Sequence, residues 1–314
     1  MCVRVKHMSQ ELIVSKIAAV VVGYEPDIKI MDELLSSLLN QVDLLILADN
    51  GGAEGYLAFS EDKRSRVKYV QMGGNKGLGV ALNAGFECAT EFGMDYLVTF
   101  DQDSHAQPDL IAKLLESMKT ARAKDEKCAA VSPVFFDRRD GLEINFPFYQ
   151  SVNGSIRAVY KADSPDGLVM ADVLITSGMM IRTDVWQEGA KYNDGMFVDF
   201  TDSEWCFRVR SLGYHLYGSL NVSMGHALSD APPVKFLGFS FFRYSPIRRY
   251  FYFRNTVAVC QMGHTPACWR RRLLSALLLR FFVNLLIDKE KIKSLKMMLK
   301  GIKHGRIMSL GGVH

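Results

Sequence analysis

Residues 17–22 form an unbroken apolar run, Ile-Ala-Ala-Val-Val-Val, that stops at Gly23. A short run without polar alternation predicts a strand buried on both faces, the pattern of a parallel sheet. The same reasoning predicts strands over 44–48, 67–72 and 96–100. Helices are expected over 32–39, over 77–92 behind opening glycines, and over 109–123, with Pro108 near N1 of that last helix. Strands alternating with helices over the first 125 residues predict an open α/β sheet. Such sheets bind ligands outside the carboxyl ends of their strands. The polar clusters at 23–27, 49–52 and 101–104 all fall there.

Beyond residue 128 the pattern changes. Segments 129–136 and 142–148 flank Arg138-Arg139-Asp140-Gly141, a hairpin turn in composition. A strand is expected over 173–182, a short helix over 202–211, and one or two strands over 214–226. Residues 273–287 are apolar except for Ser275, Arg280 and Asn284, a stretch too short to span a bilayer comfortably. Helical spacing over 289–300 puts Ile292, Leu295, Met298 and Leu299 on one face, with five lysines mostly elsewhere. With no linker or repeat, the chain reads as one mixed domain over 1–260 carrying a helical tail over 261–314.

Composition changes this picture in one respect. At 48% apolar residues, a wholly disordered chain is excluded. The absence of any apolar run of about 18 residues excludes a polytopic membrane protein. The formal charge of +4 conceals an asymmetry: residues 243–314 hold 15 Lys and Arg against 2 Asp and Glu, whereas 1–242 hold 23 against 32. An acidic body carries a strongly basic tail. The six cysteines show no CxxC pair or zinc-ligand spacing, and the first 16 residues lack a signal-peptide core, so a cytosolic, reducing location is expected.

Several clusters carry chemistry. Asp101-Gln102-Asp103 follows a buried strand, and two carboxylates converging in a turn suit a hard divalent ion that would neutralise a diphosphate. Loop solubility or helix capping is the plainer explanation. Asp49-Asn50-Gly51-Gly52 is either a turn or an acidic group for a base or ribose edge. Residues 73–79, Gly-Gly-Asn-Lys-Gly-Leu-Gly, open a helix and would let backbone N–H groups approach a phosphate or sugar. They match neither a Walker A loop nor the dinucleotide fingerprint. In Asp199-Phe-Thr-Asp-Ser-Glu-Trp205, Thr201 and Glu204 have the spacing of a capping box, and Asp202 in the first turn has the placement of a general base. His226 is either a polar residue in the fold or a third metal ligand. Arg248-Arg249 and Arg254-Asn255 either clamp a diphosphate or belong to the basic surface.

Taken together, these stretches resemble an inverting glycosyltransferase of family 2 with the GT-A fold, most closely its bacterial rhamnosyltransferase branch. The carrying residues are Val20-Val-Val-Gly-Tyr-Glu-Pro26, Ala48-Asp-Asn-Gly-Gly52, Asn75-Lys-Gly-Leu-Gly-Val-Ala-Leu-Asn83 and Thr99-Phe-Asp-Gln-Asp-Ser104. Ser177-Gly178, residues 197–208, His226 and Arg249-Tyr-Phe-Tyr-Phe-Arg-Asn255 complete the set. The resemblance implies a GT-A sheet flanked by helices and dTDP-β-L-rhamnose as donor. Tyr24, Asp49, Asn50, Asn75, Lys76, Gly77, Asp101, Gln102, Arg249 and Arg254 would bind the nucleotide sugar. Asp103, Asp101 and His226 would hold Mg²⁺ or Mn²⁺, with Asp103 as direct ligand. Asp202 would be the base, with Asp199 as a rival because Thr201 replaces the family's usual Glu. Asp199, Glu204 and Trp205 would face the acceptor. That acceptor would be a polyprenyl-diphosphate-linked saccharide of a bacterial surface polysaccharide such as O-antigen. Another nucleotide sugar as donor (hexose, hexosamine or galactofuranose) and a binding protein without turnover are the alternatives. The tail is expected to lie on the anionic inner face of the cell membrane, or to join copies of the chain. No nucleic-acid motif accompanies it.

Overall fold

The computed structural model describes residues 15–56, 65–137, 144–225, 234–236, 239–241, 244–288 and 290–310. Strands β1 (Ile17–Gly23), β2 (Leu44–Asp49), β3 (Val67–Gln71) and β4 (Tyr96–Asp101) alternate with helices α1 (Ile28–Leu38) and α2 (Leu78–Glu91). Helix α3 (Leu110–Lys124) then leads to β5 (Cys128–Asp137), β6 (Ile144–Asn145), the hairpin β7 (Phe148–Val152) and β8 (Ser155–Val159), β9 (Leu168–Ala171) and β10 (Met179–Arg182). Two short helices, α4 (Thr183–Gln187) and α5 (Thr201–Ser211), precede the long β11 (His215–Gly225). Helices α6 (Pro246–Gln261), α7 (Ala267–Ile287) and α8 (Lys291–Leu310) close the chain.

The main sheet has nine strands in the order β3-β2-β1-β4-β10-β5-β11-β9, with β6 on β5. Its first four strands are parallel, and β10 runs antiparallel between β4 and β5. The unbroken apolar run of β1 is explained by its two neighbours and two covered faces. Ile17, Ala19 and Val21 enter one core, whereas Ala18, Val20 and Val22 enter the other. From β1 the chain moves outward to β2 and β3, then returns to β4 on the other side, which makes a topological switch point. Register then sets the site: Gly23 pairs with Asp49 and Val22 with Asp101, so the three polar clusters lie abreast at one edge.

Several boundaries differ from expectation for local reasons. Helix α1 starts at Ile28 because Asp27 caps it, accepting from the Lys29 and Ile30 amides. Pro108 stands outside α3 in the preceding turn, and Asp109 is the residue before the helix. Of the segment expected as a strand over 173–182, Met179–Arg182 forms one, and Val173 makes only an isolated bridge to Tyr149. A turn closed by Met179 N–H to Thr176 O, with Gly178 at φ +71°, displaces its first half. The hairpin strands β5 and β6 pair as expected, but residues 138–143 of the turn lie outside the described residues.

The tail folds back on the body. Gly301 and Gly305 face α6, where an added Cβ would lie 2.6 Å from Tyr250 O and 2.3 Å from Arg254 O. Only a residue without a side chain permits that approach. The buried ridge of α8 therefore runs through Ser294, Met298, Gly301 and Gly305, leaving Ile292 and Leu299 exposed rather than sharing the buried face with Met298. Buried Arg249 of α6 pairs with Asp288 and donates to Ser294, which locks the α7–α8 corner onto α6. Trp269 of α7 donates 2.6 Å to buried Asp172, which also pairs with Arg210 of α5 at 2.8 Å. Gly305→Ala is expected to cost about 1–3 kcal/mol by overpacking. A lowered thermal midpoint beside an unchanged Gly263→Ala control, where the added Cβ meets nothing within 4 Å, checks this.

Candidate active site

A cavity of about 720 Å³ opens at the carboxyl ends of β1 and β4. One side is built by the strand-end loops, through Tyr24, Asn50, Asn75, Gly77, Asp101 and Gln102. The other is built by Phe197, Val198 and the first turns of α6, through Ile247, Arg248 and Phe251. Its size suits a nucleotide-sized ligand.

Amide side chains shape the loops. The Gln102 carboxamide accepts from Tyr24 N–H at 2.6 Å and donates to Tyr24 O at 3.0 Å, tying the loop after β1 to the turn after β4. Asn50 donates to Asn75 Oδ1 at 3.1 Å and accepts from the Lys76 amide at 2.8 Å. Asp49 works inside its own loop. Its carboxylate accepts from the Gly51 and Ala53 amides and from the Tyr69 hydroxyl, and it is buried away from the cavity wall. Lys76 is exposed beside the cavity rather than in its wall.

The opposite wall depends on an unusual backbone. Phe197 has φ +60° and ψ −65°, with Val198 N–H bonded to Met196 O at 2.7 Å: a γ-turn of the rare, strained hand. Asp199 and Phe200 follow at φ +58° and +65°. Such residues cost of order 1–3 kcal/mol each and persist only where their surroundings enforce them. Here the surroundings do. Leu78 N–H donates to Phe197 O at 2.6 Å, and Gly77 leaves room for that contact, since its Cβ would lie 2.7 Å from Phe197 Cα. Buried Asn83 of α2 holds the segment upstream, donating to Tyr192 O and Asp194 Oδ1 and accepting from Tyr192 N–H and Trp186 Nε1. From α6, Asn255 donates to Met196 O, Val198 O and Asp199 O at 2.7, 2.6 and 2.8 Å.

The same turn carries Asp199 and leads into Asp202, and neither residue lines the cavity. Asp199 Oδ1 lies 3.3 Å from Arg248 Nη2, so a cavity-lining guanidinium reaches the acidic cluster directly, while Asp199 Oδ2 is buried without a hydrogen-bond partner. Asp202 stands in the first turn of α5, its Oδ1 accepting from the Ser203 amide and hydroxyl. Burial pushes the Asp202 carboxyl above the ordinary carboxylate range, and the Asp199 charge adds to that rise against the Ser203 bonds. At the end of β4, Asp101 is half-buried at the cavity and Asp103 is exposed two residues on.

Other expected site residues are used elsewhere. Arg249 is buried in its pair with Asp288, and Arg254 donates to Gly195 O and Met196 O, its guanidinium 4.8 Å over Phe251. Arg248 stands at the cavity in their place. Glu204 and Trp205 do not face the cavity. Glu204 is buried, and although burial would raise its carboxyl, bonds from His264 and Arg208 hold it below the usual range. Trp205 is fully buried, donating to Ala190 O and stacked on Tyr192. No capping box forms, because Phe200 adopts a left-handed conformation and Thr201 Oγ1 is buried without a hydrogen-bond partner. His226 lies outside the described residues; Gly225 before it bridges His105, two residues beyond Asp103. Asn83 and Asn255 close two of the stretches that carry the resemblance, but their role in holding this turn is not expected from the sequence.

Known proteins resemble the chain in sequence and in fold. Residues 20–162 match the model of the glycosyl transferase family 2. Over 285 residues the chain is 28% identical to the dTDP-rhamnosyl transferase RfbF of Shigella flexneri, covering 90% of this chain and 92% of that protein. Among solved structures, residues 1–349 of S. aureus TarS align with a TM-score of 0.51 at 14% identity, over 93% of this chain and 83% of that one. GalNAc-T7, solved with UDP, GalNAc and Mn²⁺, aligns at 0.58 and 12% identity, over 91% of this chain and 55% of that one. At such identities the structures speak for the fold alone. With a mixed sheet whose switch point opens on an acidic turn, the chain has a GT-A-like α/β fold, and its residues 20–162 are similar to the glycosyl transferases of family 2.

Proposed function

We propose that the chain transfers L-rhamnose from dTDP-β-L-rhamnose to a hydroxyl of a polyprenyl-diphosphate-linked saccharide, in a single inverting displacement. The observation that carries the donor is the similarity to a dTDP-rhamnosyl transferase across 90% of the chain. The nucleotide would lie among Tyr24, Asn50, Asn75 and Gly77, with its diphosphate toward Asp101 and Arg248. Asp202 takes the proton of the acceptor hydroxyl as that oxygen attacks the anomeric carbon. The bond to the diphosphate breaks with its electron pair, dTDP leaves, and an α-L-rhamnoside forms. Favouring Asp202 over Asp199 is the pair's electrostatics. Asp199 is held against Arg248, while burial and the neighbouring Asp199 charge raise the proton affinity of Asp202. Asp199 then orients the acceptor.

The donor set fits Mg²⁺ or Mn²⁺. Such ions are commonly held by one or two carboxylates with substrate phosphates completing the shell. Asp101 and Asp103 supply two, and no group of three His, Cys, Asp or Glu is gathered among the described residues. Asp103 would be the direct ligand and His226 a third. The ion, when bound, neutralises charge developing on the leaving diphosphate.

The surface favours the inner face of a membrane for this reaction. Among the described residues no helix is long and apolar enough to cross one. Helix α7 nevertheless exposes Leu274, Leu278, Leu279, Phe282 and Leu286 along one side, and α8 exposes Ile292, Leu299 and Ile307 among lysines. Apolar side chains flanked by Lys and Arg suit an anionic lipid interface. Two copies meeting here would oppose like charges instead.

Asp202→Asn is expected to lower kcat by about 10²–10⁴-fold while dTDP still binds; an active Asn variant contradicts the assignment. Because Asp202 must be ionised to act, its raised pKa puts the acidic limb of the kcat profile above the ordinary carboxylate range. In Asp199→Asn, residual activity should keep that limb at lower pH. Asp103→Ala should weaken metal-dependent donor binding, measured by calorimetry with and without the ion. Leu278→Asp with Phe282→Asp should abolish co-sedimentation with anionic vesicles while transfer to a soluble acceptor persists. Retained vesicle binding counts against the lipid surface.

A further inference from the structure

Asn255 lies in the middle of α6, fully buried, and its amide N–H groups are spent on one turn of another segment. Its Nδ2 faces the carbonyls of Met196, Val198 and Asp199, all within 2.8 Å, and its Oδ1 accepts from Arg254 Nε at 2.8 Å. Carbonyls only accept, so three of them around one atom fix which end of the carboxamide points at the turn. Arg254 adds bonds to Gly195 O and Met196 O from the same helix. We propose that Asn255 is a positioning residue for the transfer, clamping the strained 196–200 turn so that Asp199 and Asp202 stand in working register with the cavity. The inference rests on the carboxylate assignment above.

Three features of the molecule converge on this role. Backbone in the Phe197, Asp199 and Phe200 conformations relaxes unless it is held. The turn accepts one backbone bond on the donor side, from Leu78 N–H to Phe197 O, and the side-chain bonds to its carbonyls come from α6. The clamp is itself backed by the tail: Gly305 of α8 packs on the Arg254 carbonyl, Met308 reaches Gly195, and Tyr250 of α6 bonds His304 of α8 at 2.8 Å. Arg248, about two helical turns before Asn255, meets the Asp199 carboxylate from the same helix. A single element thus sets both the backbone and the charge of the acidic cluster. The C-terminal helices contribute to the site through α6, which is why truncating them would disturb catalysis and lipid binding together.

The test is Asn255→Leu, which keeps the bulk and removes the donors, read against wild type by three measurements. Steady-state kinetics with dTDP-β-L-rhamnose should show kcat down by about 10²-fold, the scale of a 1 Å misplacement, with the loss falling on kcat more than on donor KM. Calorimetry should show dTDP still bound. Hydrogen–deuterium exchange should be accelerated over 195–200 and unchanged in β1 and β4. Should the Leu variant not accumulate as folded protein, Asn255→Ser, which retains one donor, is expected to give an intermediate kcat and intermediate exchange. An unchanged kcat with unchanged exchange overturns the inference, as does a loss of activity matched by loss of dTDP binding and of the thermal midpoint. If wild type consumes no nucleotide sugar at all, the transferase chemistry fails on its own account, and exchange over 195–200 in the variant still decides whether the clamp exists.

Discussion

The active site depends on holding a few residues of backbone where they would not rest. Three residues from Phe197 to Phe200 sit at positive φ, none of them glycine, and this turn supplies part of one cavity wall and carries Asp199, with Asp202 just after it. It is stable because two helices grip it. Helix α2 contributes the space at Gly77, the Leu78 amide and the Asn83 carboxamide, and α6 contributes Asn255 and Arg254. The parallel half of the sheet fixes α2 by burying its apolar face. The tail fixes α6 through close glycine packing and the Arg249–Asp288 pair.

Given that frame, the electrostatics divide into two zones. On the strand side, Asp101 and Asp103 place oxygen donors at the end of β4, where a diphosphate and a divalent ion would meet. On the turn side, Arg248 bridges from the cavity wall to Asp199, and Asp199 in turn helps keep the Asp202 proton affinity high. On the proposed mechanism the two zones are interdependent: without the second a bound donor would lack a base for the acceptor, and without the first the acceptor would have no donor to attack.

The parallel strands were legible because a strand with two neighbours and two covered faces must be apolar throughout, and residues 17–22 are. Turn clusters at the strand ends were legible for the same reason, since polar residues abruptly follow a buried run. Side-chain direction was not. Asp49 reads as a ligand group in the sequence, but its carboxylate is consumed by the Gly51 and Ala53 amides and Tyr69. Arginines 248, 249 and 254 are alike in composition, and only helical phase sends the first to the cavity, the second to Asp288 and the third to loop carbonyls. The apparent capping box failed because Phe200 took a left-handed conformation that tertiary contacts enforce and local spacing does not encode. Likewise the α8 face followed its glycines rather than its larger apolar residues.

The measurement that bears most directly on the central claim is the anomeric configuration of the product. Purified protein would be incubated with dTDP-β-L-rhamnose, a divalent ion and a lipid-linked saccharide, and the new linkage read by nuclear magnetic resonance. Direct displacement with Asp202 as base predicts an α-L-rhamnoside and release of dTDP in equal amount. A β-linked product would contradict the single displacement, and transfer from a different nucleotide sugar with none from dTDP-rhamnose would contradict the donor.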